Sequence, residues 1–271
     1  PKPQVHRGGE DTHFVCRKDG YTFLGVFDGV GGWAELGVDP AEYGRKLADL
    51  LQKNFKASVK KLGTQQKPLV SLLHQAYERL EADKVPGSCT VSLALLTNEG
   101  KLHVLNLGDS GLQIIRGGIC VFRTTEQQHY FNCPYQLGMG SDDMPTDGDY
   151  CIIEDLASGD LIVSATDGVW DNVFEDEVLA IIDEQESLEG VAQEIAETAH
   201  YLGQDAKYVS PFAVNAKNQG LNHIGGKLDD ITVVVSRVVL TDGSQGAEGS
   251  RVLSPKGGIE LRGQGVEGLR G

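Results

Sequence analysis

No apolar run in this chain is long enough to span a bilayer, and no two cysteines stand at a CxxC spacing. The five that exist (Cys16, Cys89, Cys120, Cys133 and Cys151) are odd in number and scattered. That argues against a disulfide framework and for a reducing compartment, with each thiol read as a small core residue. Cysteine and histidine form no cluster at zinc spacing, which argues against zinc. Basic residues are outnumbered, 24 against 39 acidic, for a formal net charge of -15. That balance argues against a nucleic-acid partner and against a basic patch for a membrane surface. It leaves a phosphorylated substrate open, provided that metal ions sit at the contact. No signal or transit peptide is visible. The chain starts at Pro1 and not at Met, as expected of a mature form or an excised fragment, so a missing targeting segment says little about location.

What is present begins with Thr22 to Gly32, TFLGVFDGVGG, an apolar run that stops at an acid and a glycine cluster. Leu161 to Gly168, LIVSATDG, repeats the device. An acid at such a strand end is at least half-buried, and a buried carboxylate needs a partner, often a cation. Ahead of the first run, Arg17 to Gly20 is a hairpin turn signal between His13–Cys16 and Tyr21–Phe27. Antiparallel pairing about that turn puts Asp11 opposite Asp28, and Glu10 at the same end.

Further along, Asp39-Pro40 is a helix start, followed by Tyr43, Leu47, Leu51 and Phe55 at helical spacing. A second helix is expected over 68–82. Strands are expected over 89–96, 102–107, 112–115, 119–122, 150–154 and 161–165. Residues 124–148 read as a long loop or flap. Helices return over 175–184 and 188–202, 208–226 reads as irregular, and the last strand is 231–239. Residues 1–7 read as an edge and 241–271, rich in glycine, as a disordered tail. Segregated runs of strands and helices indicate an α+β fold: a four-layer αββα sandwich of two mainly antiparallel sheets flanked by helices.

Seven carboxylates sit at strand ends: Glu10, Asp11, Asp28, Asp109, Asp167, Asp229 and Asp230. Asp28 and Asp167 end strands while Asp11 and Asp229 begin them, so all four could line one edge of a sheet layer. Clustered carboxylates repel and need protons or a divalent cation; oxygen-only ligands suit Mg²⁺ or Mn²⁺. Each Asp-Gly taken singly also reads as an ordinary turn, and spacing leaves both readings open.

The order of motifs goes further. Glu10-Asp11, VFDGVGG (Val26 to Gly32), GSCT (Gly87 to Thr90), NLGDSG (Asn106 to Gly111), SATDGVWD (Ser164 to Asp171) and DDIT (Asp229 to Thr232) resemble, in order, the metal-dependent type 2C Ser/Thr protein phosphatases. The resemblance spans Gly8 to Leu240 and implies one catalytic domain there. It implies hydrolysis of phosphoserine and phosphothreonine in a phosphoprotein substrate by a metal-bridging hydroxide at a binuclear Mn²⁺ or Mg²⁺ centre. Asp28 resembles the carboxylate bridging the metals and the Gly29 carbonyl a ligand of one. Asp167 and Asp229 resemble ligands of one metal, and Glu10 of the other, with Asp11 beside it. Asp109, with Asp167, resembles the holder of a weaker third ion. Asp230 stands where many members have Asn and is read as supporting the ligands.

Two positions depart from the family. Val30 stands where many members have a histidine as candidate general acid, and His6 stands where many have a phosphate-binding arginine, with Arg7 one place off. DGVGGW (Asp28 to Trp33), EQQHYFNCPYQL (Glu126 to Leu137) and SPFAVNA (Ser210 to Ala216) resemble the mitochondrial branch linked to coenzyme Q biosynthesis, which also carries DGVGG. That branch implies the mitochondrial matrix, with plastid or cytoplasm as alternatives, and a monomer is expected. Two other functions compete: a pseudophosphatase acting as a regulatory binding module, and a GDS-type esterase with Ser110 as nucleophile. The esterase would also need an Asp-x-x-His near the end, which is missing.

Overall fold

Asp19 and Gly20 both adopt left-handed backbone (φ 51° and 82°), the conformation a two-residue hairpin turn requires. They join β1 (Thr12–Lys18) to β2 (Tyr21–Phe27), in a computed structural model that describes residues 9–241 and 258–269. The register runs from Lys18↔Tyr21 to Thr12↔Phe27, so the next pair outward is Asp11 and Asp28, as the turn position predicts. Every residue of β2 is buried, because the strand is covered on both faces.

Helix α1 (Ala41–Leu62) buries Tyr43, Leu47, Leu51, Phe55, Val59 and Leu62 along one stripe, and α2 (Pro68–Ala82) buries Leu69, Leu72, Leu73, Ala76 and Leu80. Asp39 Oδ1 accepts the first free N–H of α1, that of Ala41, at 3.3 Å. Then come β3 (Ser88–Cys89), β4 (Val91–Leu96), β5 (Leu102–Leu107), β6 (Gly111–Arg116) and β7 (Ile119–Arg123). The stretch read as one strand over 89–96 is broken at Thr90.

The stretch 124–148 holds three short strands that the sequence did not signal: β8 (Gln128–Tyr130), β9 (Cys133–Pro134) and β10 (Leu137–Gly138). Within it, His129 stacks on Tyr135 at 4.3 Å and lies 3.0 Å from Asp143 Oδ2. It lies on β8 and its side chain is still 45% exposed, as Tyr130 is at 71%. After β11 (Asp149–Ile153) and β12 (Leu161–Ala165) come a short turn of helix, α3 (Asp167–Trp170), then α4 (Glu175–Glu184) and α5 (Leu188–Gln204).

The region read as irregular contains α6 (Pro211–Asn218). Ser210 Oγ accepts the Ala213 N–H at 3.1 Å and Pro211 opens the first turn, a Ser-Pro start that the sequence carries. The last strands are β13 (Ile231–Thr241) and β14 (Gly258–Leu269). The expectation of a structureless tail is therefore corrected for 258–269: an edge strand offers unpaired backbone groups, and this segment takes them up along β13 in antiparallel register. The rest of that expected tail, and the expected edge at 1–7, lie outside the described residues.

Two five-stranded antiparallel sheets result, ordered β1-β2-β4-β5-β11 and β14-β13-β12-β6-β7, together with two-stranded ladders β10-β3 and β8-β9. One apolar cluster lies between the first sheet and α1 with α2, and a second joins β12 and β13 to α4 and α5. A third, with Leu24, Leu96, Leu102, Val104, Leu112, Ile114 and Ile162, lies between the sheets. These three contacts build the expected αββα layers. Leu24 is 0% exposed there, so Leu24→Ala should lower unfolding free energy in urea by about 2–5 kcal/mol. Ile119→Ala, at a 65% exposed site, should stay within about 0.5 kcal/mol; equal costs would contradict this layering.

Candidate metal centre

The sheets deliver their acids to one edge. β5 belongs to the first sheet and β6 to the second, so Asp109, in the link between them, lies at the crossover. β12 pairs with β6 with Ala165 opposite Gly111; two steps beyond, Asp167 faces Asp109. Asp28 follows β2 and is clipped to Thr90, whose N–H donates to the Asp28 carbonyl at 2.9 Å and whose Oγ1 accepts the Asp28 N–H at 3.2 Å. Asp28, Asp109 and Asp167 each offer an oxygen within 4.8 Å of the others. Asp11, 4% exposed, stands beside them, and its Oδ2 accepts a 2.8 Å hydrogen bond from Thr166 Oγ1. That hydroxyl in turn accepts the Thr232 N–H at 3.0 Å.

Three carboxylate oxygens of this group are buried without a hydrogen-bond partner: Asp11 Oδ1, Asp109 Oδ1 and Asp167 Oδ1. Buried acceptors are normally satisfied, so three orphans at one point mark a place for a cation or for protons. Burial, then the mutual repulsion of the acids, pushes the carboxyls of Asp11, Asp28 and Asp109 well above the ordinary carboxylate range.

Both Asp-Gly glycines are steric necessities. A Cβ at Gly29 would come within 2.5 Å of the Pro40 carbonyl oxygen and 2.6 Å of that of Glu10, and one at Gly168 within 2.2 Å of the Asp230 carbonyl oxygen.

Glu10 lies toward Asp229, Asp230 and Asp39; burial first, then these acids, raise its pKa. Its backbone N–H donates to Asp230 Oδ2 at 2.5 Å, which puts Asp230 behind Glu10, outside the three-acid group. Asp229 is pushed up to about 6 by burial and by Asp167. Arg7 lies outside the described residues. Ser110 Oγ is 2.7 Å from Thr90 Oγ1, so it braces the strand that holds Asp28.

Sequence reasoning missed Asp171 and Lys227. Asp171 falls one turn after Asp167 and shares its face; burial pushes it up to about 7 against the pull of Lys227. The Lys227 ammonium contacts Asp167 Oδ2 and lies 2.7 Å from Asp171 Oδ2 and 3.1 Å from Asp229 Oδ2. Burial would lower its pKa, but the three acids outweigh burial and raise it. No spacing rule points to Lys227, which comes from the loop before β13.

No family model matches the chain. "Probable protein phosphatase 2C 80" of Arabidopsis thaliana is 43% identical over 244 residues, 88% of this chain and 56% of that protein. "Protein phosphatase PTC7 homolog" of Homo sapiens is 40% identical over 246 residues, 85% of this chain and 79% of that protein. The chain belongs to the type 2C protein phosphatases. This type 2C chain spans about half the length of the Arabidopsis relative. It also superposes on the X-ray structure of the photosystem II phosphatase PBCP with TM-score 0.77 and 35% identity, covering 85% of this chain and 92% of that one.

The raised pKa values fix a sign for stability. Folded and metal-free, the acids keep protons at pH values where the unfolded chain has lost them, above about pH 4. Stability therefore falls as pH rises from there through the folded values, about 6 for Asp229 and about 7 for Asp171. Thermal unfolding in chelator should show Tm falling between about pH 5 and 8; a rising Tm across that window would contradict this electrostatic picture.

Proposed function

We propose that Gly8 to Leu240 is a catalytic domain that hydrolyses phosphoserine and phosphothreonine in proteins, as a monomer, with two Mg²⁺ or Mn²⁺ ions. The observation that carries the reading is the meeting of Asp28, Asp109 and Asp167 within 4.8 Å, beside the orphaned oxygens of Asp11, Asp109 and Asp167. The donor set fits hard divalent ions, being all oxygen with no His or Cys in the group. Asp28 would be shared between the ions, with the Gly29 carbonyl, Glu10 and Asp11 toward one and Asp167 and Asp229 toward the other. When bound, the ions lower the pKa of coordinated water and offset charge on the phosphoryl oxygens.

The chain's own residues supply rigidity and exclusion. Thr166 fixes the rotamer of Asp11, and Thr90 with Ser110 fixes the backbone of Asp28. Val30 has no proton to give from its side chain, and its N–H is spent on the Ser88 carbonyl at 3.1 Å. With Val30 unable to serve as the acid, water is the proposed proton donor to the leaving oxygen. Arg7 is proposed as a phosphate contact. Val30 also favours a second reading, a catalytically weak pseudophosphatase that serves as a binding module.

Likeness to the PTC7 homologs supports placement in the mitochondrial matrix; likeness to a photosystem II phosphatase supports a plastid.

Metal-stripped protein, titrated with Mn²⁺ and Mg²⁺ against a phosphothreonine peptide, tests the reading. Turnover should appear with metal. It should fall more than about 100-fold in Asp28→Asn and Asp167→Asn, beyond the usual cost of losing a group that merely supports a ligand. Undiminished hydrolysis in either variant rejects the assignment. Ser110→Ala, which loses one hydrogen bond, should stay within about tenfold; complete loss would revive the esterase reading.

A further inference from the structure

The surface of this acidic chain has an apolar exception. Val209, Leu221 and Ile224 are 65%, 51% and 71% exposed, and with Ala213 and Val214 of α6 they line a groove of about 540 Å³. Exposed apolar side chains are ordinary when scattered; gathered in one concave patch they mark an interaction site.

The patch is rigidly built. The backbone of Val209 pairs with that of Gly225 as a parallel bridge, which sets Val209 beside Ile224. Ser210 Oγ donates to the Gly225 carbonyl at 2.7 Å, and the Leu221 N–H donates to the Ala216 carbonyl near the end of α6 at 2.9 Å. Gly225 has φ 102°, and a Cβ there would come within 2.9 Å of the Ala206 Cα. A loop fixed this closely holds its apolar side chains outward as part of the fold, and a preformed groove spares a partner the cost of ordering it.

Charge sets what fits. Residues 206–228 contain no Asp or Glu, in a chain that has 39. Lys217 lines the groove and Lys207 precedes it; both are exposed, and among the described residues neither is in an ion pair. Glu177, at the Tyr208 end, is already engaged: its Oε2 accepts the Tyr208 hydroxyl at 3.0 Å and the Phe174 N–H at 2.8 Å. The complementary occupant carries aliphatic side chains with an acidic residue beside them.

The groove also continues toward the acids. Val214 lines both it and a cavity of about 590 Å³ whose wall includes Glu126 and Trp170, the latter on the turn of Asp167. His223 of the groove meets Phe212 edge-on at 4.8 Å, and the Phe212 ring centroid lies 5.4 Å from the Lys227 ammonium, which contacts Asp167. A protein whose phosphorylated residue reaches the acids therefore has this groove within reach of the same chain.

We propose that the groove along α6 docks the phosphoprotein substrate, through a segment remote from the phosphorylated residue that presents aliphatic side chains to the groove and an acid to Lys217. The identity of the occupant rests on the phosphatase reading above; the groove does not.

A random peptide library panned on metal-free protein in chelator probes the groove without chemistry. Enriched sequences should share aliphatic residues next to Asp or Glu. Ile224→Glu, at a site too exposed to unsettle the fold, should weaken their binding about tenfold or more. No enrichment, or equal binding to wild type and variant, overturns the proposal. An enriched sequence joined to a phosphothreonine peptide then tests the occupant in Mn²⁺-loaded protein. KM should fall about tenfold against the bare phosphopeptide with kcat unchanged. Ile224→Glu should lose that gain while hydrolysing the bare peptide as the wild type does. Binding without a gain in KM means that the groove serves a different partner, and the proposal fails. Hydrolysis of neither peptide, with binding intact, fails the catalytic reading and the substrate as occupant with it. Sedimentation covers the remaining occupant: a wild-type dimer that Ile224→Glu dissolves makes the groove an interface between copies and overturns the proposal.

Discussion

Like charges held close together out of water are the constraint around which this molecule is arranged. Two unit charges at 4.8 Å, the span that contains oxygens of Asp28, Asp109 and Asp167, repel by about 3 kcal/mol at an effective dielectric of 20. Several such pairs approach the whole stability of a domain, about 5–15 kcal/mol. The fold tolerates them only by over-determining each acid. Asp28 is clipped by Thr90 and Asp11 is held by Thr166, while the glycines at 29 and 168 let carbonyl groups close in. Neutralisation then has to come from protons, from Lys227 or from ions, and which of these dominates depends on pH and on metal concentration.

The sandwich serves that arrangement. Each sheet alone carries part of the acid group, and the crossover at Asp109 ties the two edges into one. The apolar layer between the sheets, with Leu24, Leu112 and Ile162, fixes their separation, so the cluster's geometry depends on core packing as well as on local turns. Ser110, next to the crossover acid, illustrates the economy of the site. Its hydroxyl looks like a nucleophile in the sequence, yet it is occupied in bracing Thr90.

Much of this was legible in the sequence because it is local or follows a strict period. The Asp19-Gly20 turn fixed the hairpin register, and with it the meeting of Asp11 and Asp28. The stripes of α1 and α2 and the Asp-Gly strand ends were equally plain, and the family's motif order added the remaining acids. What escaped was non-local. Lys227 sits in a loop with no periodicity, and its importance depends on Asn172, 55 residues earlier in the chain. The strand at 258–269 has a glycine-rich sequence that predicts nothing by itself; a neighbour's free edge gives it order. The short strands of 124–148 pair over only two or three residues, too few for alternation to show. Helix α6 was the exception, since its Ser-Pro start was present and was outweighed by the surrounding Asn, Gly and Lys.

The chain has two tryptophans, and both flank the acids. Trp33 follows Asp28 by five positions and donates its indole N–H to Ser88 Oγ at 2.7 Å. Trp170 lies on the turn that Asp167 opens, donates to the Ala165 carbonyl at 2.9 Å, and has the Arg123 guanidinium 5.9 Å from its ring centroid. Light emitted by this protein on indole excitation therefore originates from two residues close in sequence to Asp28 and Asp167. A change in the charge held by those acids should therefore be readable, without any label, in the protein's intrinsic fluorescence.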